Sequence, residues 1–193
     1  MLVPALLRWL LAAAVSVTPA AAAEPPASGT GAKQSSAEAS AAAENLVGEI
    51  SDWLTANFEL PATQQRPAIR FLSQTELQDM RYRTTLDGSV QAEGEAAGQS
   101  RTASGVVALY DHTKRTIFLP EDWTGKGPAE QSALVHEMVH HLQNLAGLRF
   151  ECPAAREKLA YKAQDRWLGR FGTDLETEFK LDPFSILMAS ACM

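Results

Sequence analysis

Apolar residues recur every three or four positions in three long stretches of this chain, the spacing that places them on one face of a helix. The stretches cover residues 44–59, 129–146 and 153–171. In the second stretch, Pro128 precedes the first position and Gly147 follows the last, and these residues favour a helix start and a helix end. The pattern therefore predicts three amphipathic helices, two of them adjacent in the C-terminal half.

Shorter elements are predicted between and after these helices. Ser73 is followed three residues later by Glu76, the capping-box arrangement that favours a helix start. The segment 85–104 is rich in glycine, alanine and polar residues, and long loops of this kind are either functional lids or disordered. The other elements are a strand at 68–72, a short helix at 73–80, a hairpin of 106–110 with 116–119, and helices at 174–180 and 182–190. Together they predict an α+β domain that is mainly helical and carries a small sheet.

The N-terminal segment differs from the rest of the chain in composition. Residues 1–23 contain one charge, Arg8, then a short apolar core and alanines at 21–23, as in a cleavable secretory signal peptide. Residues 24–43 are dominated by Ala, Ser, Gly and Pro and hold no large apolar side chain, which predicts a disordered linker. Residues 44–193 suffice for one domain with a sizeable core. We therefore expect an exported protein, periplasmic or secreted.

The acidic charge balance argues against two classes of partner. With 17 basic and 23 acidic residues, the formal net charge is −6. A nucleic-acid-binding domain needs a basic surface, and the sequence offers no basic patch for anionic lipid. No stretch after the signal reaches the roughly 20 apolar residues of a membrane span. We therefore expect no nucleic-acid partner and no integral membrane span in the mature chain.

The second predicted helix contains the sequence HEMVH at 136–140, in which His136, Glu137 and His140 match the H-E-x-x-H motif. Residues four apart share a helix face, so both imidazoles can reach one ion. The glutamate can hold the ion's water and accept its proton, as in zinc hydrolases and chiefly peptidases. The alternative is an amphipathic helix that merely tolerates its histidines. His141 is five positions after His136 and is expected to point away, at the surface or in packing.

A catalytic zinc ion usually has three protein ligands and a water, so a third ligand is expected downstream of His140. Glu157 heads a mostly apolar stripe of the third predicted helix, where a buried carboxylate is costly without a partner. Glu157 is therefore the predicted third ligand of one Zn²⁺ ion. Glu151 is a second candidate, although it precedes the helix, and otherwise Glu157 is a surface residue that pairs with basic neighbours. Asp165 is either an acceptor for a histidine N–H or a solvated charge.

The segment 106–168, with its strand, HExxH helix and second helix, resembles the zincin metallopeptidases and specifically their gluzincin branch. The glycine and third histidine of the metzincin branch are absent after His140. The resemblance implies a zincin-like fold, in which a small sheet and a second, ligand-bearing helix pack on the HExxH helix. It also implies a peptidase that acts on peptides or proteins, with zinc ligands at His136, His140 and Glu157. Glu137 would then be the general base.

Three further residues and one element bear on function. Tyr161, one turn after Glu157, is either a donor to a developing oxyanion or a core tyrosine. The predicted hairpin offers either an edge strand that pairs with an extended peptide or an ordinary sheet strand. Cys152 and Cys192 are expected to form one disulfide in an oxidising compartment. Besides a zinc peptidase, the sequence leaves open a zinc-stabilised, non-catalytic exported binding or scaffold protein, and a small exported binding domain without metal.

Overall fold

The computed structural model describes residues 31–87, 101–102, 105–106 and 108–192. The predicted signal peptide, the start of the predicted linker and most of the predicted loop at 85–104 lie outside these ranges. Within them, no helix combines the length and the apolar character needed to cross a bilayer.

Helices account for most of the described residues, which confirms the prediction of a mainly helical α+β protein. The α-helices are α1 at Gly31–Asn57, α2 at Gln74–Asp87, α3 at Pro128–Leu145, α4 at Glu157–Leu168, α5 at Leu175–Phe179 and α6 at Pro183–Ala189. Short 3-10 turns at Pro153–Arg156 and Gly169–Phe171 extend α4 at both ends. Together, α4 and these turns cover the range 153–171 that was predicted to be one helix. The bounds of α3, α5 and α6 agree with their predicted bounds to within one residue.

Helix α1 begins well before residue 44, so the linker predicted at 24–43 is wrong from Gly31 onward. Alanine has the highest helix propensity of all residues, and the segment before Glu44 is rich in it. The prediction weighed only the lack of large apolar side chains. Ala43 is fully buried against the core, which shows that a small side chain suffices where the helix packs closely.

Helix α2 starts as predicted and continues further. The backbone N–H and the hydroxyl of Ser73 both donate to Glu76 Oε2, at 2.9 and 2.7 Å, and Glu76 N–H donates back to Ser73 Oγ at 3.3 Å. This reciprocal capping box is the one that the spacing predicted. The helix then runs to Asp87, into the segment predicted to be a loop.

The strands form two small sheets. Strands β1 at Ala68–Leu72, β5 at Thr116–Pro120 and β4 at Leu109–Asp111 make a three-stranded sheet in the order β1–β5–β4. Strand β1 runs parallel to β5, and β4 pairs antiparallel with it. Strands β2 at Arg101–Thr102 and β3 at Gly105–Val106 pair separately with each other. Strand β5 is therefore central, and β4 forms one edge of the described three-stranded sheet.

The predicted hairpin pairs correctly, but its first strand is misplaced. Val106 belongs to β3, and the strand that pairs with β5 begins at Leu109 and ends at Asp111. The Asp111 carboxylate accepts the backbone N–H groups of Thr113 and Lys114 at 2.9 and 2.8 Å. This side chain organises the turn after β4, whereas the apolar run alone does not show that pairing with β5 starts only at Leu109.

The main core lies between α1, α3, α4 and the sheet. Strand β5 is buried on both faces: Ile117 and Leu119 join this core, whereas Phe118 packs with Leu77 of α2 on the opposite face. The helical part of the core comprises Val47, Ile50 and Leu54 of α1, Leu134, Val135, Met138 and Leu142 of α3, and Ala160, Ala163, Trp167 and Leu168 of α4. Helix α3 therefore has packing partners on several sides, which holds its polar face in a defined orientation.

The predicted disulfide joins Cys152 to Cys192, with the two Cα atoms 5.8 Å apart. It ties the C-terminal end of the chain to the 3-10 turn that leads into α4. Closing a loop of this length stabilises the fold by about 4 kcal/mol on the chain-entropy estimate. The segment between the two cysteines contains α5 and α6, which are capped by Asp174 and Asp182.

Candidate metal centre

The two motif histidines of α3 lie side by side and are nearly buried. His136 and His140 are each 6% exposed, and their ring centroids are 4.9 Å apart. The four-residue spacing places both rings on the same helix face. That face is covered by α4, whose first residue is Glu157.

Glu157 completes the group. Its side chain is 2% exposed, and its two carboxylate oxygens face the two rings. Oε2 lies 2.9 Å from His136 Nε2, and Oε1 lies 2.8 Å from His140 Nε2. The potential ligand atoms of the three residues all lie within 4.8 Å of one another. The structure therefore brings together the three residues that the sequence predicted, whereas the other candidate, Glu151, is exposed and lies outside this group.

Hydrogen bonding determines which nitrogen of His140 carries the proton. Gln143 Nε2 donates to the backbone carbonyl of Arg156 at 3.0 Å, so Gln143 Oε1 is the atom that faces His140 Nδ1 at 3.1 Å. An amide oxygen only accepts, and His140 Nδ1 is therefore protonated. In the neutral ring, Nε2 then holds the lone pair, which points at Glu157.

The same reasoning applies to His136 through a longer chain of hydrogen bonds. Ser132 Oγ donates to the carbonyl of Ala129 at 2.9 Å, so it accepts from Gln164 Nε2 at 3.4 Å. Gln164 Oε1 consequently accepts from His136 Nδ1 at 2.9 Å. His136 also presents its Nε2 lone pair to Glu157.

Three electron-rich groups thus converge in one buried place. Two neutral imidazole nitrogens and a carboxylate repel one another at 2.8–2.9 Å unless a proton or a cation lies between them. A single divalent cation satisfies all three groups at once, and the outer nitrogens are already bonded as they would be in a metal-bound histidine. The donor set therefore fits a bound metal ion.

The charges of the site are strongly coupled. Burial lowers the pKa of His136, but the adjacent Glu157 carboxylate, together with Glu137 and Gln164, raises that pKa above its ordinary value. A proton held between His136 and Glu157 is thus the alternative to a cation. Burial raises the pKa of Glu137, while the neighbouring His136 and His140 act to lower it. Glu137 is 6% exposed and interacts electrostatically with His136, His140 and Glu157, so a second carboxylate stands beside the ligand group.

His141 is a packing residue, as the helical geometry predicted. It is fully buried on the side away from the ligands. Its Nε2 donates to the carbonyl of Gln65 at 2.9 Å, and its Nδ1 lies 3.1 Å from the hydroxyl of Tyr110. Because Nε2 carries the hydrogen, Nδ1 accepts from that hydroxyl. Asn144 donates to the same hydroxyl at 2.9 Å, so β4 is bonded to α3 at two positions one turn apart.

Asp165 is not a partner of either histidine. It lies on the exposed face of α4, and its carboxylate accepts the backbone N–H of Leu175 at 3.1 Å. The position that bonds a ligand is its neighbour Gln164, because Gln164 is two helical turns from Glu157 and shares its face. Tyr161 is buried, and its ring contacts that of His136 edge-on, with centroids 4.8 Å apart.

The sequence interpretation assigned no role to Gln143, Gln164 or Ser132. The available signal was their spacing: Gln143 is one turn after His140, and Gln164 lies on the same stripe as Glu157. Glutamines at such positions are common on any helix, so the spacing becomes informative only when the partner helix is in place.

A cavity of about 390 Å³ opens beside His140. Its walls come from the end of α3, from β4 and the following turn, and from the segment that leads into α4. The lining residues include Tyr110, His112, Leu148, Phe150, Glu151 and Arg156. Leu148 and Phe150 are 48% and 38% exposed and form apolar surface next to the candidate metal centre.

Comparison with known proteins identifies a family. A family model described as a domain of unknown function, DUF6647, matches residues 38–193. No curated protein and no solved structure matches the chain. The matched region contains His136, His140 and Glu157, and it starts within α1, before the boundary predicted at residue 44. Because the match covers more than half of the chain, this protein belongs to the DUF6647 family.

Proposed function

We propose that this protein is a zinc-dependent hydrolase that cleaves peptides. The observation that carries the proposal is the buried group of His136, His140 and Glu157 with Glu137 beside it. Two histidines and one carboxylate are the ligand set of many catalytic zinc sites, which keep a fourth position for water or substrate. A purely structural zinc site is usually closed by four protein ligands and has no use for an adjacent base.

In this proposal, zinc would be held by Nε2 of His136, Nε2 of His140 and the carboxylate of Glu157. When bound, the ion would lower the pKa of a water molecule and polarise a carbonyl group. Glu137 would take the proton of that water and deliver it to the leaving amine. Its burial raises its pKa, which supports this role because a raised pKa makes the carboxylate a stronger base toward that water.

Two observations favour a peptide over a smaller substrate. Strand β4 is an edge of the described sheet, and an extended peptide can pair with such an edge. The Tyr110 hydroxyl, bonded to His141 and Asn144, holds this strand against α3, and Tyr110 lines the same cavity as His140. The cavity beside His140 offers space for one side chain of a bound peptide. Tyr161 is a candidate to donate its hydroxyl to the developing oxyanion.

The proposed location is outside the cytoplasm. The disulfide between Cys152 and Cys192 is compatible with an exported protein, because disulfides persist mainly in oxidising compartments. The predicted signal peptide at 1–23 supports the same location. Export would bring the protein into contact with extracytoplasmic peptides or proteins.

The proposal is tested with Glu137→Gln. We expect this variant to retain one zinc per chain and to lose hydrolysis of a peptide library by about 10²- to 10⁴-fold in kcat/KM. Elemental analysis measures the zinc, and cleavage is followed by mass spectrometry. Glu121→Gln, at an exposed glutamate that belongs neither to the ligand group nor to the cavity lining, is the matched control and is expected to keep both zinc and activity.

Two outcomes would redirect the assignment. If Glu137→Gln hydrolysed peptides as well as the wild type, Glu137 would not be the general base. A wild-type protein that binds zinc tightly but cleaves no member of the library would favour the non-catalytic binding or scaffold protein instead.

A further inference from the structure

We propose that Gln143 is a positioning residue that holds two of the three metal ligands at once. This inference rests on the metal site of the proposed function but not on its catalysis. Gln143 is 3% exposed and lies one turn beyond His140 on α3. Its amide has two ends, and each is bonded to a different part of the site.

The oxygen end acts on His140. Gln143 Oε1 accepts the Nδ1 hydrogen of His140 at 3.1 Å, which keeps the lone pair on the Nε2 atom that faces Glu157. It also sets the rotation of the imidazole about its bond to the helix. Outer partners of this kind typically change metal affinity by about 10- to 100-fold.

The nitrogen end acts on Glu157. Gln143 Nε2 donates at 3.0 Å to the carbonyl of Arg156, which belongs to the peptide group directly before Glu157. The first turn of α4 follows a 3-10 turn and has no side-chain cap hydrogen bond at Arg156. The amide of Gln143 therefore restrains the backbone from which the Glu157 carboxylate projects.

The other ligand is held in a reciprocal way. Gln164 reaches from α4 to His136 on α3, while Gln143 reaches from α3 to the start of α4. Each ligand-bearing helix thus orients a ligand of the site through an amide that is bonded at both ends. Because the amide of Gln143 bonds both to His140 and to the backbone of the ligand-bearing turn, we expect it to couple His140 to Glu157.

The experiment measures zinc affinity in the full mature chain with its disulfide intact. Metal-free protein is titrated against a chromophoric chelator, and the Co²⁺ absorption spectrum reports the coordination. Gln143→Met keeps the length of the side chain and removes both polar ends, so we expect Kd for zinc to rise by about 10- to 100-fold and the Co²⁺ bands to shift. Gln143→Glu keeps an oxygen for His140 but has no hydrogen for the Arg156 carbonyl, and its Kd should lie between those of the wild type and Gln143→Met.

The matched control is Gln131→Met. Gln131 is also on α3, and its Nε2 also donates to a backbone carbonyl, that of Gly125 at 2.9 Å, but it lies outside the ligand group. We expect this variant to bind zinc with wild-type affinity. Thermal unfolding of the metal-free proteins separates a loss of folding from a loss of positioning.

The outcomes distinguish this inference from the proposed function. A Gln143→Met variant that binds zinc as tightly as the wild type, or no more weakly than Gln131→Met, overturns the positioning role alone. Wild-type affinity in Gln143→Glu overturns the link to Glu157. A wild-type protein that binds zinc but does not hydrolyse peptides removes the hydrolase and leaves the inference standing, whereas a wild type that binds no zinc overturns both.

Discussion

The two helices that supply the candidate ligands differ in how those ligands are specified. Helix α3 contributes His136 and His140, which share a face because they are four residues apart on a regular helix. Helix α4 contributes Glu157 at its first residue, directly after a 3-10 turn. The α3 pair is thus a local property of the sequence, whereas the place of Glu157 depends on how α4 packs on α3.

The relative positions of the two ligands on α3 therefore follow from that helix alone, whereas the position of Glu157 depends on contacts that hold the start of α4. Helix α3 is packed by α1, α4 and the sheet, and its ligand spacing follows from helix geometry alone. The start of α4 is held by Gln143 and lies close in sequence to the disulfide at Cys152. We therefore expect changes around α4 to act on the metal indirectly and by degrees, while changes to the ligands themselves act directly.

The largest effect is expected when a ligand is removed from either helix. His140→Ala and Glu157→Gln should each raise Kd for zinc by more than the roughly 100-fold that outer partners can contribute. Elemental analysis after dialysis should find little zinc in either variant. The neighbouring His141→Gln and the exposed Glu151→Gln are controls that should retain one zinc per chain. Stoichiometric zinc at wild-type affinity in Glu157→Gln would mean that α4 supplies no ligand.

An intermediate effect is expected when the disulfide that restrains the start of α4 is removed. Replacing both Cys152 and Cys192 by serine should lower the free energy of unfolding by about 4 kcal/mol or less, because the unfolded chain regains the entropy of the open loop. Urea unfolding monitored by circular dichroism measures this change. The zinc Kd should rise less than in Glu157→Gln, since the ligand remains and only its support is weakened.

The disulfide comparison has a clear contrary result. If the double serine variant unfolds at the same urea concentration as the wild type with an unchanged slope, the covalent link does not stabilise the domain. If its zinc Kd rises as far as that of Glu157→Gln, the disulfide rather than the helix packing sets the ligand position.

The smallest effect is expected from Ser132, the last member of the hydrogen-bond chain behind His136. Ser132→Ala removes an acceptor for Gln164 and should weaken zinc binding by about 1 kcal/mol, a factor of about five. Ser190→Ala is a matched control, because the Ser190 hydroxyl also donates to a backbone carbonyl on its own helix, at 2.8 Å, but on α6. Equal zinc affinities in the two variants would show that the hydrogen-bond chain behind His136 does not extend beyond Gln164.

Much of the fold was predictable because it depends on local signals. The apolar stripe, Pro128 and the terminal glycine located α3, and Asp174 and Asp182 located the two short C-terminal helices. Helix α1 was only half predicted, since its N-terminal part is stabilised by alanine propensity and close packing at Ala43. Strand β4 was misplaced because the apolar run that begins at residue 106 does not show where pairing with β5 starts.

The candidate site was predicted to a similar degree. The structure brings His136, His140 and Glu157 together as the sequence predicted, since the spacing on α3 is local and a carboxylate on an apolar stripe needs a partner. Of the two alternatives left open for Asp165, the structure agrees with the exposed charge and not with the partner of a histidine. Gln164 and Asp165 are neighbours on α4, yet the first is buried and the second is exposed. The sequence pattern does not show accurately which of the two faces α3.

By itself, the sequence determined the ligand-bearing face of α3 and the chemistry of the side chains on that face. It also determined the pairing of the two cysteines of the chain. Only the tertiary structure decided that Gln143 and Gln164 orient the histidines and that Asp165 does not. The physical reason is the distance along the chain over which the deciding interactions act. Spacing of three or four residues is set by hydrogen bonds within one helix, whereas a contact between α3 and α4 depends on the packing of the whole core, which no short segment encodes.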